Sequence, residues 1–258
     1  QSEGCVMGGR VVVGVDGSGP SHAALAWAAA RARSTKTPLL AVHVVEDETA
    51  RAVGENALHG AVASVLTSSP DLSVDTQLLH GAAPWELTRV AGLDDLLVVG
   101  THKTGYLNGR VLGTRGIAVA TGARCSVAVV PEATTGRKGI LVGVASAASS
   151  RAAIVAGAHE AARTGQELTL IHAASGPGSG RTDLTAAVAL AIAAEPRLVV
   201  RSRLSRRRPA DALLDASRSS SLLVLGATDP ADVHAHHLGS VLYEVLLNIN
   251  SPVLIARG

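Results

Sequence analysis

Short apolar runs with no polar alternation recur along the chain. "VVVGV" occupies residues 11–15, "LLAVHVVE" 39–46, "LLVVG" 96–100 and "CSVAVVP" 125–131. A strand that stays apolar at every position is covered on both faces, as in a parallel sheet between layers of helices. The stretches between these runs read as helices. "SHAALAWAAARAR" (21–33) and "SRAAIVAGAHEAAR" (150–163) are Ala-rich and open on Ser, and "PWELTRVAGL" (84–93) carries Pro in a first turn with apolar residues at helical spacing. Alternating strands and helices joined by right-handed crossovers make an α/β doubly wound sheet. In such sheets ligands bind outside the carboxyl ends of the strands, where the strand order switches. "VDGS" and "GTHKTG" both stand at strand carboxyl ends.

The pattern occurs twice. "RVVVGVDGSGPSHAALAWAAARA" (10–32) matches "GILVGVASAASSRAAIVAGAHEAA" (139–162), "LLAVHVVE" matches "LTLIHAAS" (168–175), "DLLVVGTHKTG" (95–105) matches "SLLVLGATDPA" (221–231), and "CSVAVVP" matches "NSPVLIA" (250–256). Gly14 and Gly143 lie 129 positions apart, as do His43 and His172, whereas Gly100 and Gly226 lie 126 apart, as do Gly113 and Gly239. One small gap accounts for the change. Such regularity means two tandem copies of one domain. The expected boundaries are 10–132 and 139–257, joined through the Pro/Thr/Gly-rich "PEATTGRK" (131–138), with residues 1–9 an N-terminal extension or expression remnant.

Composition narrows the function classes. Aromatics are limited to Trp27, Trp85, Tyr106 and Tyr243, and a formal charge of +2 gives no basic footprint, so nucleic acid is not an expected partner. No apolar run approaches the ~18 residues of a membrane span, so no membrane is expected either. Two cysteines, Cys5 and Cys125, make neither a disulfide framework nor a zinc site. A reducing, cytoplasmic compartment is the simplest expectation, and no signal peptide is visible.

The common catalytic and phosphate motifs are missing: there is no G-x-x-x-x-G-K-[ST], no G-x-G-x-x-G after a strand, no G-x-S-x-G and no H-E-x-x-H. "HAHH" (His234, His236, His237) has no accompanying carboxylate or cysteine set and reads as a solvated loop. "RRRP" (Arg206–Pro209) reads as an exposed loop, and His43 and His172 as structural histidines of a second strand.

Asp16 is different. It follows the first strand and precedes Gly17 and Ser18. Two readings stand side by side: acceptor for ribose hydroxyls at the strand-end crevice, or N-cap of the next helix. The loop from Gly100 to Thr114 favours the first. Gly113-Thr114 opens a helix whose free N–H groups and positive dipole end suit a phosphate, and the glycines permit close approach of an anion.

With these residues in view, the chain from about residue 10 to 257 resembles the universal stress protein family in its tandem form. That family carries G-x2-G-x9-G-[ST] after its fourth strand and an Asp closing its first. Gly100, position 103, Gly113 and Thr114 keep that spacing here, and Gly226, position 229, Gly239 and Ser240 repeat it. The resemblance implies a five-stranded parallel sheet per domain and domains that dimerise through their edge strands. It implies ATP, with a divalent cation such as Mg2+, as ligand, and no general catalysis. It places Asp16, with Gly17 and Ser18 beside it, at the ribose, the backbone of Val44 at adenine, and Gly100, Gly113 and Thr114 at ribose and phosphates.

The departures matter. Lys103 replaces the second glycine of the motif; its side chain either blocks the backbone approach or supplies an ammonium to the phosphates. In the second copy Asp229 takes that position and Ala145 replaces the first-strand Asp. The expectation is therefore asymmetric: an adenine nucleotide in the first copy, a structural or partner surface in the second. The rival expectations are a dimerising scaffold that binds no nucleotide and an unidentified protein partner, and, last, a weak ATP hydrolase, for which only Asp16 lies near the loop and no base is found.

Overall fold

The computed structural model describes residues 9–101, 114–132, 136–173, 180–227 and 238–258, without the side chains of residues 114 and 115. The first half runs β1 (Val11–Gly14), α1 (Gly19–Thr35), β2 (Leu39–Val45), a 3-10 turn (Glu48–Ala50), α2 (Arg51–Ser68), β3 (Val74–His80), α3 (Ala83–Val90), β4 (Leu96–Thr101), α4 (Thr114–Gly122) and β5 (Ser126–Pro131). The second half repeats the order: β6 (Ile140–Gly143), α5 (Arg151–Thr164), β7 (Leu168–Ala173), α6 (Gly180–Ala194), β8 (Val200–Ser205), α7 (Pro209–Ser217), β9 (Leu222–Gly226), α8 (Ser240–Leu247) and β10 (Val253–Ala256).

The apolar runs are strands because both faces of the sheet are covered. Val11, Val12 and Val13 are all buried, although neighbouring side chains point to opposite faces. Residues of one parity, such as Val11, Val13, Leu39 and Ala41, pack with α1, α2, α5 and α6; the other parity, Val12, Leu40, Val42 and Leu97, packs with α3, α4, α7 and α8. Helix α1 starts where the Ser18 hydroxyl accepts the Ser21 N–H, carries Pro20 in its first turn, and stops at Lys36 with φ 55°. Its counterpart α5 stops at Gly165 with φ 64°, the residue that this left-handed cap favours. Ala24, Ala28 and Ala32 are fully buried, so α1 lies close against the sheet. The large side chains fully enclosed between these layers, Leu25, Leu97, Ile154 and Leu223 among them, each contribute roughly 1.5–3 kcal/mol by leaving water.

The halves do not form separate sheets. They share one ten-stranded sheet of order β3-β2-β1-β4-β5-β10-β9-β6-β7-β8. Within each half the strands are parallel, and β5 meets β10 antiparallel with Val127, Ala128 and Val129 opposite Ile255, Leu254 and Val253. Each core layer runs without interruption across this join. In both halves the first strand lies between the second and the fourth: β1 pairs with β2 and β4, and β6 with β7 and β9. The strand order switches there, and a crevice opens at the carboxyl ends.

Candidate functional site

At the end of β1 the backbone turns through Val15, Asp16 and Gly17, the last at φ 77°, a conformation that a side chain would strain. The Asp16 carboxylate Oδ1 accepts from the Ser18 N–H at 3.0 Å and from the Ser18 hydroxyl at 2.6 Å. Ser18 in turn accepts from the Ser21 N–H at 3.3 Å. The two readings of Asp16 thus separate: capping of α1 falls to Ser18, while Asp16 braces the turn from outside and stays exposed to the crevice. His43 pins the turn to β2 by donating from Nδ1 to the Val15 carbonyl at 2.7 Å, in keeping with a structural histidine.

A cavity of about 410 Å³ opens at this point. Asp16, Ser18 and Pro20 form one rim; Val42 to Glu46 of β2 and the segment after it form another; Ala83, Pro84 and Leu87 of α3 close one side; Val99 and Gly100 of β4 lie beneath; and Gly116 and Val119 bring in the first turns of α4. Asp16, Ser18, Val44 and Gly100 therefore line one space, with Gly17 on the turn behind it. Thr114 is the first residue of α4, as Gly113-Thr114 led one to expect of a helix start. Lys103 and Gly113 lie outside the described residues, as do Asp229 and His234, His236 and His237. The apolar wall formed by Val42, Leu87, Val99 and Val119 was not anticipated. Those residues come from four elements, and only the fold brings them together.

Among the described residues lining the cavity, the charged ones are Asp16 and Glu46, both acidic. The apolar wall suits a flat, weakly polar ring and the carboxylates suit hydroxyl donors. The first N–H groups of α4 have no acceptor within their own helix. Gly100 has a reason of its own to be glycine: a Cβ there would lie 2.3 Å from the Pro20 carbonyl oxygen and 2.8 Å from the Ser21 nitrogen. The carboxyl end of β4 is thus packed directly on the first turn of α1.

The second half differs at each of these points. Ala145 stands where Asp16 does, and its N–H donates to the Ser150 hydroxyl at 3.0 Å. The turn is held by serines, with the Ser146 and Ser149 hydroxyls 2.7 Å apart. At Gly226, among the described residues, a Cβ would meet the Ser149 carbonyl oxygen at 3.5 Å. His172 Nδ1 is buried without a hydrogen-bond partner among the described residues, so it lacks the contact that satisfies His43. A cavity of about 470 Å³ in this half lies between β6–β8 and α7, and neither Ala145 nor Gly226 lines it. The "RRRP" segment is the exposed loop expected of it: Arg206 is exposed, Arg207 pairs with Asp215, and Arg208 pairs with Glu244 at 3.0 Å.

Residues 7–131 match the sequence model of the universal stress protein family. A universal stress protein of Mycobacterium tuberculosis is 28% identical over 287 aligned positions that span 96% of this chain and 96% of the relative. One from Mycolicibacterium smegmatis is 26% identical over 284 positions, again spanning 96% of each. Among solved structures, a universal stress protein from Archaeoglobus fulgidus superposes with a TM-score of 0.78 at 16% identity, covering 96% of this chain and 98% of that one.

Proposed function

The chain belongs to the universal stress protein family, in its tandem two-domain form, and from that premise we propose that its first half binds one adenine nucleotide, of which ATP is the first to test, while its second half is chiefly structural. One observation carries this reading. A cavity of about 410 Å³ stands at the switch between β1 and β4, with a carboxylate on its rim, an apolar wall, and the opening of α4 in one space.

The parts of a nucleotide sort onto that space by chemistry. The base lies against Val42, Leu87 and Val99, with the Val44 backbone at its edge. The ribose hydroxyls donate to Asp16. The phosphates extend toward the start of α4, whose positive dipole end offsets their charge, and the motif spacing of Gly113, Thr114 and Lys103 assigns those residues to the same anion, Lys103 as a contact or as a block. A Mg2+ ion would enter with ATP on its phosphates, with Asp16 and Glu46 the carboxylates that line the cavity. Binding then regulates by favouring one shape or assembly of the chain over another. Ala145 in place of Asp16 removes the ribose acceptor from the second half.

The experiment is an acid extract of the purified chain, analysed for released nucleotide, with apo protein then titrated with ATP. Nucleotide in the extract, or saturable ATP binding by the stripped protein, supports the reading. An empty extract together with no binding leaves the scaffold reading, which the replacement of the motif glycine by Lys103 favours. Lys103 separates the two directly: Lys103→Ala weakens ATP binding if the ammonium is a contact, and Lys103→Gly strengthens it if the side chain is a block.

A further inference from the structure

The two halves meet around an approximate two-fold axis, and residues at equivalent repeat positions touch one another across it. Arg31 of α1 and Glu160 of α5 stand 129 positions apart, the repeat spacing of this part of the chain, and so do Ser34 and Arg163. The Arg31 guanidinium forms an ion pair with Glu160. Arg163 donates to the other Glu160 oxygen at 2.6 Å and to the Ser34 hydroxyl at 2.6 Å. Position 31 thus meets its own counterpart, and so does position 34. The contact is enclosed: the Glu160 side chain is 2% exposed and that of Arg31 15%. Trp27 lies beside it, its ring 6.0 Å from the Arg31 guanidinium carbon.

Equivalent positions that meet at an axis determine which halves fit together. Two first halves would set arginine against arginine at position 31, two enclosed cations with no carboxylate between them. Two second halves would set Glu160 against Glu160, each still paired with its own Arg163. Two first halves alone would leave buried cations with no carboxylate beside them, and a buried charge left without its counter-charge is strongly destabilising.

A second site at the join has the same logic. Arg257, just after β10, donates to the carbonyl oxygens of Cys125 at 3.0 Å and Ala120 at 2.5 Å, next to the carboxyl end of α4. Its repeat equivalent is Glu132, by the alignment of "CSVAVVP" with "NSPVLIA". Two first halves would bring a carboxylate to those same carbonyls, acceptor against acceptor. In the second half the matching carbonyl, that of Asn250, is already taken by Arg137.

We propose that the α1–β5 surface of the first half is a discriminating interface that accepts the unlike half of a tandem chain and rejects a second copy of itself. The join is then closed within one chain. The inference does not depend on nucleotide binding.

A charge-reversal cycle in the whole chain tests it. Glu160→Arg imposes the arginine–arginine contact of two first halves, and Arg31→Glu sets two carboxylates against each other with Arg163 alone to offset them. Each single variant is expected to lower the thermal midpoint by about 10 °C. The double variant Arg31→Glu/Glu160→Arg restores opposite charges with the halves exchanged, and is expected to recover at least half of that loss. If the singles fail to fold, a folded double variant still supports the proposal. A double variant no more stable than the summed losses of the singles, or one that fails to fold alongside them, overturns it, as do single variants that melt with the wild type.

Discussion

A carboxylate at the end of a first strand has two jobs open to it, and its neighbours decide between them. Ser18 holds the N–H that Asp16 would otherwise cap, so the loss of Asp16 removes two local hydrogen bonds but not the cap of α1. Asp16→Ala is therefore expected to lower the thermal midpoint by no more than about 3 °C while weakening ATP binding at least about tenfold, read by calorimetric titration. Ser18→Ala is expected to cost about 1 kcal/mol of stability through the lost cap, measured by urea unfolding. Asp95 is a purely structural carboxylate. It is buried and accepts from the Arg10 N–H at 2.7 Å, the Gly92 N–H at 2.9 Å and the Arg10 guanidinium at 3.0 Å. Burial alone would raise its pKa; the donors together outweigh burial and hold it below the ordinary 3.8. A folded carboxyl that binds its proton more weakly than the unfolded one stabilises the fold above that ordinary value, and the contribution fades as pH falls through the lower folded one. Asp95→Asn is thus expected to flatten the acid side of the stability profile below about pH 4, followed by urea midpoints across that range. At this scale the sequence showed the residue types and left their roles open. Which oxygen takes which N–H depends on a turn geometry that Gly17 permits but spacing alone does not specify.

Between elements, β4 packs backbone against backbone on the first turn of α1 beside the cavity. Gly100→Ala would drive a methyl into the Pro20 carbonyl, and the expected loss is about 2 kcal/mol or more. At Gly226, where the nearest atom among the described residues is 3.5 Å away, the same change is expected to stay within about 1 kcal/mol. Urea unfolding of the two variants side by side makes the comparison. The central strands were legible because burial on both faces leaves an unbroken apolar run. The outer strands β3 and β8 were not: they lie at the edges of the sheet, several of their residues are exposed, and "VDTQLLH" and "VRSRLS" carry little apolar signal. Helices α2 and α6 leave a similarly weak trace in the sequence. Each buries only a narrow stripe of small or apolar residues, Gly54, Leu58, Ala61 and Val65 in one and Gly180, Leu184, Ala187 and Ala191 in the other. The apolar wall of the cavity drew on β2, β4, α3 and α4 together, and no spacing along the chain encodes that convergence.

Over the whole molecule, the repeat disclosed two copies but not how they join. Backbone hydrogen bonds between β5 and β10 leave no composition signature, and the residues that choose the partner, Arg31 and Glu160, look like ordinary helix-surface charges when read one helix at a time. Duplication has let the copies diverge in two directions: a complementary contact at the join, and a strand-end turn that keeps its carboxylate in the first half and loses it in the second. The second divergence bears on function. The most direct measurement is the stoichiometry of ATP binding to the intact, nucleotide-free chain by isothermal titration calorimetry with Mg2+ present. One ATP per chain is the predicted result. Two per chain, or no saturable heat at all, would contradict a single nucleotide site in the first half.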